Sequence, residues 1–165
     1  MITLDQLLQS RDRRARHQKD LLGDYPGKSL LCFTVQLPGP VKRNAMSLTV
    51  ARAGVDAIRE IFPIDVSEER DLDTGFEGYF IVSLPPFETK LLACSLEDTH
   101  PLGRLMDLDV VESDGPLSRD SVGLPARRCL LCDREARYCM RARAHSAAEL
   151  LARIEEMVNA YEPRL

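Results

Sequence analysis

The chain has no tryptophan, 5% aromatic residues and three histidines in 165 residues. Proteins that grip single-stranded nucleic acid stack bases on rings, and the most basic segment here, 127–143, contains only Tyr138 for that purpose. The formal net charge of −4 also opposes a phosphate backbone, so no nucleic acid partner is expected. No apolar run approaches the ~20 residues of a membrane-spanning helix, so no membrane partner is expected either. The opening Met1-Ile-Thr-Leu-Asp lacks the basic-then-apolar pattern of a secretory leader. Five cysteines, an odd number, argue against a disulfide framework. Without a leader they point to the reducing cytoplasm. The glycine-rich loop ending in Lys-Ser/Thr that cradles phosphates in many nucleotide-binding proteins is missing too.

What remains has the composition of one globular domain over residues 1–165, with 44% hydrophobic and 29% charged residues. Its charge is uneven. Residues 55–77 hold eight acids and two bases, whereas 127–143 hold six arginines and two acids. The second stretch suits an anionic ligand or an acidic protein.

The periodicity predicts a helix from Thr3 to Leu22, with Thr3 as its cap and Leu4, Leu7, Leu8, Ala15 and Leu22 on its apolar stripe. Arg11, Arg14 and Gln18 continue that stripe, where they either snorkel at the core edge or point into a cleft. Leu30–Val35 reads as a buried strand, followed by the turn Pro38-Gly-Pro40 and Lys42. A second helix is expected over Ala45–Phe62, ended by Pro63. The acidic stretch Asp65–Asp73 reads as a loop, Tyr79–Leu84 and Lys90–Leu96 as strands, and Leu105–Glu112 as a further strand. Residues 113–128 read as a long loop in which Ser118 and Arg119 suit a lid. Ser146 and Glu149 make a capping box ahead of a last helix. The sum is α+β: a mixed sheet of about four short strands flanked by helices.

Within the strand Leu105–Glu112, Asp107 and Asp109 alternate onto one face as neighbouring carboxylates. Such a pair resists double ionisation unless a cation sits between them, and a hard divalent ion such as Mg²⁺ suits it. Two solvated aspartates on an edge strand would have the same spacing. A tight turn ending in Lys42 can present amide groups and an ammonium to phosphate, although Pro-Gly-Pro is also an ordinary turn. Cys129, Cys132, Cys139 and His145 are spaced C-x2-C-x6-C-x5-H, three thiols and an imidazole suited to tetrahedral Zn²⁺. Reduced cysteines along a helix beginning near Asp133 are the alternative. His100, before a proline, reads as structural.

Taken together, HPLGRLMDLDV (100–110), GPLSR (115–119) and the Arg-Cys-x-x-Cys segment with its later Cys and His resemble the apo-citrate lyase phosphoribosyl-dephospho-CoA transferases. The resemblance extends through RDRRARHQ (11–18), PGPVK (38–42) and TGFEGYFIV (74–82), nearly the whole chain. Two positions depart from the family's usual pattern: Gln36 stands where asparagine is usual, and His17 where arginine is usual.

The resemblance implies a nucleotidyl-type transfer. The donor is triphosphoribosyl-dephospho-CoA and the acceptor a serine of the citrate lyase acyl carrier protein, its gamma subunit; diphosphate leaves. Mg²⁺ would sit on Asp107 and Asp109, and Arg11, Arg14, Lys42 and Arg104 would neutralise the triphosphate. The less metal-engaged carboxylate would take the serine proton, with Glu97 a weaker choice. The arginines of 127–143 would dock the acidic carrier. Paired strand aspartates would also suit a nucleotidyltransferase-like architecture. Two other expectations stay open: a zinc-stabilised adaptor without catalysis, and a related transferase acting on the malonate decarboxylase carrier.

Overall fold

The frame is an open five-stranded sheet with strand order β2-β3-β1-β4-β5, seen in a computed structural model that describes residues 1–163. The strands are β1 (Ser29–Val35), β2 (Ile64–Leu72), β3 (Gly75–Val82), β4 (Met106–Glu112) and the two-residue β5 (Gly115–Pro116). Five helices surround them: α1 (Leu4–Asp24), α2 (Ala45–Ile61), α3 (Pro86–Thr99), α4 (Ala136–Ala142) and α5 (Ala147–Ala160). The α+β class is as expected, but every described strand pair is antiparallel, so the sheet is not mixed.

Local signals explain the helices. The Thr3 side chain accepts from the Gln6 N–H at 3.2 Å while Gln6 Oε1 accepts from the Thr3 N–H at 2.9 Å, a capping box that starts α1. Asn44 with Ser47 and Ser146 with Glu149 do the same for α2 and α5. Helix α3 corrects the strand expected over Lys90–Leu96. Pro86 sits in the first turn, where its missing N–H costs nothing, so the Pro-Pro pair starts a helix instead of breaking a strand. The run looks strand-like because α3 buries Ala93, Cys94 and Leu96 under the sheet.

Strand β2 replaces the loop expected over Asp65–Asp73. It is an edge strand whose residues alternate between half-buried and exposed, and edge strands carry such charge as a guard against stray pairing. The long loop 113–128 contains β5 and a 3₁₀ turn at Asp120–Val122. The segment after Cys129 turns helical at Ala136.

One face of the sheet is apolar. Leu31, Phe33, Phe80, Val82, Leu108 and Val110 pack there against Val50, Ala53 and Ile58 of α2, Ala93 and Leu96 of α3, and Ile154 of α5. A Cβ on Gly54 would stand 2.3 Å from Phe33 Cζ, so α2 lies directly on that ring only because residue 54 has none. Helix α1 covers the other face, where Leu21, Leu22 and Tyr25 meet Leu30, Ile81 and Val111. No described helix is long and apolar enough to cross a membrane.

Candidate active site

Antiparallel register lines up polar side chains in two rows beneath α1. The first row runs Arg70, Glu77, Thr34, Asp107, and the second Glu68, Tyr79, Cys32, Asp109. Directly paired residues share a face, so Asp107 and Asp109 do project together as the alternation requires.

Helix α1 locks onto these rows. Arg14 Nε lies 3.6 Å from Glu77 Oε1 and is buried without a hydrogen-bond partner. Glu77 is buried and accepts from the Tyr79 hydroxyl at 2.6 Å, which, after burial itself, holds that phenol in its neutral form. His17 Nε2 meets Glu68 Oε2 at 2.8 Å and its ring stands edge-on to Tyr79. Gln18 donates to Cys32 Sγ at 3.4 Å, yet burial still pushes that thiol up to about 12. His17 therefore supports the sheet, outside the cleft described next.

At the end of the sheet where β1 exits and β4 enters, a cleft of ≈ 990 Å³ opens. Arg11, Arg14, Lys42, Arg104 and Arg143 line it, against the carboxylates Glu77 and Asp107. Four of the five cations were anticipated as phosphate ligands; Arg143 was assigned to the basic docking stretch. The cations crowd one another. Lys42 is pulled below the usual lysine range by burial and by the Arg11 charge, while its Nζ donates to Leu37 O at 2.5 Å. Arg104 is lowered by burial and then by Arg127 and Arg119. Arg104 falls in a 3₁₀ turn (Gly103–Leu105), so strand alternation does not turn it away from Asp107. Gln36 lines the cleft, and its N–H donates to Leu105 O at 2.9 Å, tying the turn after β1 to the entry of β4.

Asp109 does not line the cleft; it sits in the second row. Burial and then the Asp107 charge raise its carboxyl above the usual range, against the pull of Lys90, Arg14 and Arg127. Lys90 is buried and donates to Leu108 O at 3.1 Å.

Sequence reasoning missed the role of Arg127. Its Nη2 donates to Met106 O at 2.9 Å and Arg104 O at 3.1 Å, and its Nη1 meets Glu97 Oε2 at 2.9 Å and Asp107 Oδ1 at 3.6 Å. No local pattern could signal a contact between residues 21 positions apart in the chain. Glu97 is buried between Arg127 and Arg119, with burial raising its carboxyl despite them, so it anchors the site and does not face the cleft. Arg119 also grips Asp98 at 3.0 Å, fastening the 113–128 loop to α3. His100 is structural as read: its Nδ1 accepts the Leu102 N–H at 3.0 Å.

The cysteine and histidine cluster forms the opposite wall. One ligand atom from each of Cys129, Cys132, Cys139 and His145 lies within 4.8 Å of all the others, a set able to hold a metal ion. Cys132 Sγ and Cys139 Sγ are 3.4 Å apart, and Cys129, Cys139 and His145 border the cleft. All five cysteines are free thiols.

Comparison with known proteins identifies the family. The profile of the family described as apo-citrate lyase phosphoribosyl-dephospho-CoA transferase matches residues 2–161. A protein of Vibrio cholerae named probable apo-citrate lyase phosphoribosyl-dephospho-CoA transferase is 42% identical over 170 residues, covering 97% of this chain and 93% of its own. One of Streptococcus pyogenes with the same name is 39% identical over 167 residues, covering 97% and 87%. The apo-citrate lyase phosphoribosyl-dephospho-CoA transferase of Escherichia coli O1:K1 is 37% identical over 164 residues, covering 96% and 89%. The chain belongs to the apo-citrate lyase phosphoribosyl-dephospho-CoA transferase family.

Proposed function

We propose that this protein transfers the phosphoribosyl-dephospho-CoA group from triphosphoribosyl-dephospho-CoA to a serine of the citrate lyase acyl carrier protein, a nucleotidyl-type transfer. The observation that carries this reading is the cleft itself. Five cationic side chains converge on it in a protein of net charge −4, beside a carboxylate of the strand pair.

The serine Oγ attacks the α-phosphorus of the donor, the new Oγ–P bond forms, and the bond from that phosphorus to the bridging oxygen breaks. Diphosphate leaves with the electron pair. Arg11, Arg14, Lys42 and Arg104 bind the triphosphate, and Arg143 adds a fifth cation from the opposite wall. Arg14 is the best placed, since its Nε is buried and lacks a hydrogen-bond acceptor. Glu77, held by Tyr79, fixes the direction of that guanidinium. Asp107 faces the cleft and is the group placed to take the serine proton at an Oδ atom. Arg127, hydrogen-bonded to three carbonyls and paired with Glu97, orients Asp107.

Asp107 and Asp109 also fit Mg²⁺. They are hard oxygen donors side by side on one sheet face. Burial first and the Asp107 charge second raise the Asp109 carboxyl, so a cation between them would relieve the repulsion. Bound there, Mg²⁺ would neutralise charge on the phosphoryl oxygens and the leaving diphosphate. The exposed arginines 128, 134, 137 and 141 suit an acidic carrier, and the reaction would run in the cytoplasm.

The test is direct. The purified protein is incubated with triphosphoribosyl-dephospho-CoA, Mg²⁺ and apo-carrier, and the carrier is weighed by mass spectrometry. A gain equal to the donor minus diphosphate is expected. A competent citrate lyase carrier that gains nothing would overturn the proposal, and modification of a malonate decarboxylase carrier alone would overturn its choice of acceptor.

A further inference from the structure

We infer that Cys129, Cys132, Cys139 and His145 hold a structural Zn²⁺ ion that builds the far wall of the cleft. The inference does not depend on which group the enzyme transfers.

Three observations carry it. The first is convergence from separate pieces of chain. Cys129 and Cys132 lie on a loop closed by the Arg128–Glu135 bridge and by the Cys129 N–H to Arg134 O bond at 2.7 Å. Cys139 comes from α4, and His145 follows the left-handed turn at Arg143, where φ is 47°. Short pieces of this kind bury little apolar surface: of 129–145 only Cys139 is buried. Such a segment is seldom held by packing alone, and a metal commonly supplies the missing cohesion.

The second observation is the fit. A tetrahedral zinc site has Zn–S bonds of ~2.3 Å, which set sulfur atoms roughly 3.8 Å apart. The four ligand atoms here lie within 4.8 Å of one another, with one sulfur pair at 3.4 Å. The donor set, three thiols and one imidazole, is soft and closed, with no water position. The Leu131 N–H points at Cys129 Sγ at 3.5 Å, the kind of outer contact that steadies a metal-bound sulfur.

The third is His145 itself. Its Nε2 is buried and has no hydrogen-bond partner among the described residues. A buried imidazole nitrogen with nothing to meet is costly, and a ligand bond to a metal removes that cost.

The site has a place in the architecture. Arg127, two residues before the first ligand, reaches back to Met106 and Asp107 on β4. Ser146, next after the last ligand, caps α5, whose Ile154 sits in the main core. The ion therefore pins a strap that joins the catalytic strand to the last helix and carries Arg143 across the cleft.

The full-length protein, purified without chelator, is analysed for metals by mass spectrometry. About one zinc per chain is expected, and less than half an equivalent, or iron or copper in its place, overturns the inference. Replacing zinc with Co²⁺ should give the intense thiolate-to-cobalt absorption and d–d bands of a tetrahedral sulfur site. A spectrum typical of octahedral oxygen ligation overturns it. Cys132→Ser and His145→Ala should each lower zinc retention at least tenfold under competition from a chelating dye. Unchanged retention in both variants places the ion elsewhere. The cobalt measurement uses the unaltered chain, so it decides the matter even if a variant fails to fold. A Cys132–Cys139 disulfide in the zinc-free protein as purified under reducing conditions also counts against the inference.

Discussion

The two faces of the sheet are made by the same strands but differ: the α1 face is apolar only where Leu30, Ile81 and Val111 meet Leu21 and Leu22, and is polar beyond. On the α2 side, Phe33, Phe80 and Leu108 are fully buried among other apolar groups, and nothing there asks for a partner of particular shape. On the α1 side, one residue along each strand, the same register brings Glu77, Thr34 and Asp107 into a row that ends in a cleft. Alternate positions of a strand can thus be assigned to stability and to chemistry almost independently, because the pleat keeps them apart.

The largest expected effects separate the faces. Asp107→Asn should lower the turnover rate by on the order of 10³-fold, as loss of one preorganised electrostatic partner commonly does, while the thermal midpoint stays near that of the parent. Phe33→Ala should do the reverse. Emptying a fully buried aromatic site costs about 3–5 kcal/mol, and the fraction that remains folded should turn over at close to the normal rate. Urea unfolding followed by activity per folded molecule reads both. A Phe33→Ala protein with intact stability, or an Asp107→Asn protein with intact turnover, would erase the division of labour.

A middle-sized effect is expected at Arg14, where the two faces are hardest to separate. Arg14→Gln removes a charged hydrogen-bond donor worth about 1.5–3 kcal/mol, so the KM for the donor should rise roughly 10- to 100-fold with a smaller change in kcat. It also leaves Glu77 buried beside Tyr79 without its cation, which destabilises. Adding Glu77→Gln should restore the thermal midpoint without restoring KM. If both recover together, Arg14 is a structural ion-pair partner only.

How far the sequence disclosed all this follows from the reach of its signals. Caps act over three residues, so α1 and α5 are legible from Thr3 and Ser146. Alternation acts over two, which made Asp107 and Asp109 legible as a pair. Strand β2 was hidden because its inward residues include Glu68 and Arg70, which satisfy each other at 2.6 Å and leave no apolar pattern. Helix α3 was hidden because its single buried face carries Thr89, Lys90 and Glu97 beside Ala93, Cys94 and Leu96, which breaks the apolar period. The burial of Asp109 behind Asp107 and the clasp of Arg127 depend on where loops return, and no local spacing encodes that. The four cations anticipated around the cleft came from scattered motifs whose shared purpose only the resemblance supplied.

The smallest expected effect concerns Asp109, which belongs to the chemical face yet bears on stability. Its carboxyl is raised in the folded protein, by burial first and Asp107 second, so the fold binds a proton there more tightly than the unfolded chain does. Stability from this group therefore falls as pH rises from the unfolded carboxylate value through the folded one, and the loss is complete above it. Asp65, Glu68 and Asp71, held low by their partners, slope the opposite way, so the total curve hides the effect. The difference between parent and Asp109→Asn isolates it. The variant should melt a few degrees higher at about pH 7, and the gap should close toward about pH 4. Lys90 keeps the Leu108 carbonyl and the neighbouring Glu97 in the variant, so its burial does not cancel the gain. Mg²⁺ should raise the midpoint of the parent more than that of the variant, which keeps only Asp107 of the carboxylate pair. A variant that is less stable than the parent at neutral pH would mean that Asp109 is a needed counter-charge for the buried cations, and the strand pair would then be part of the scaffold.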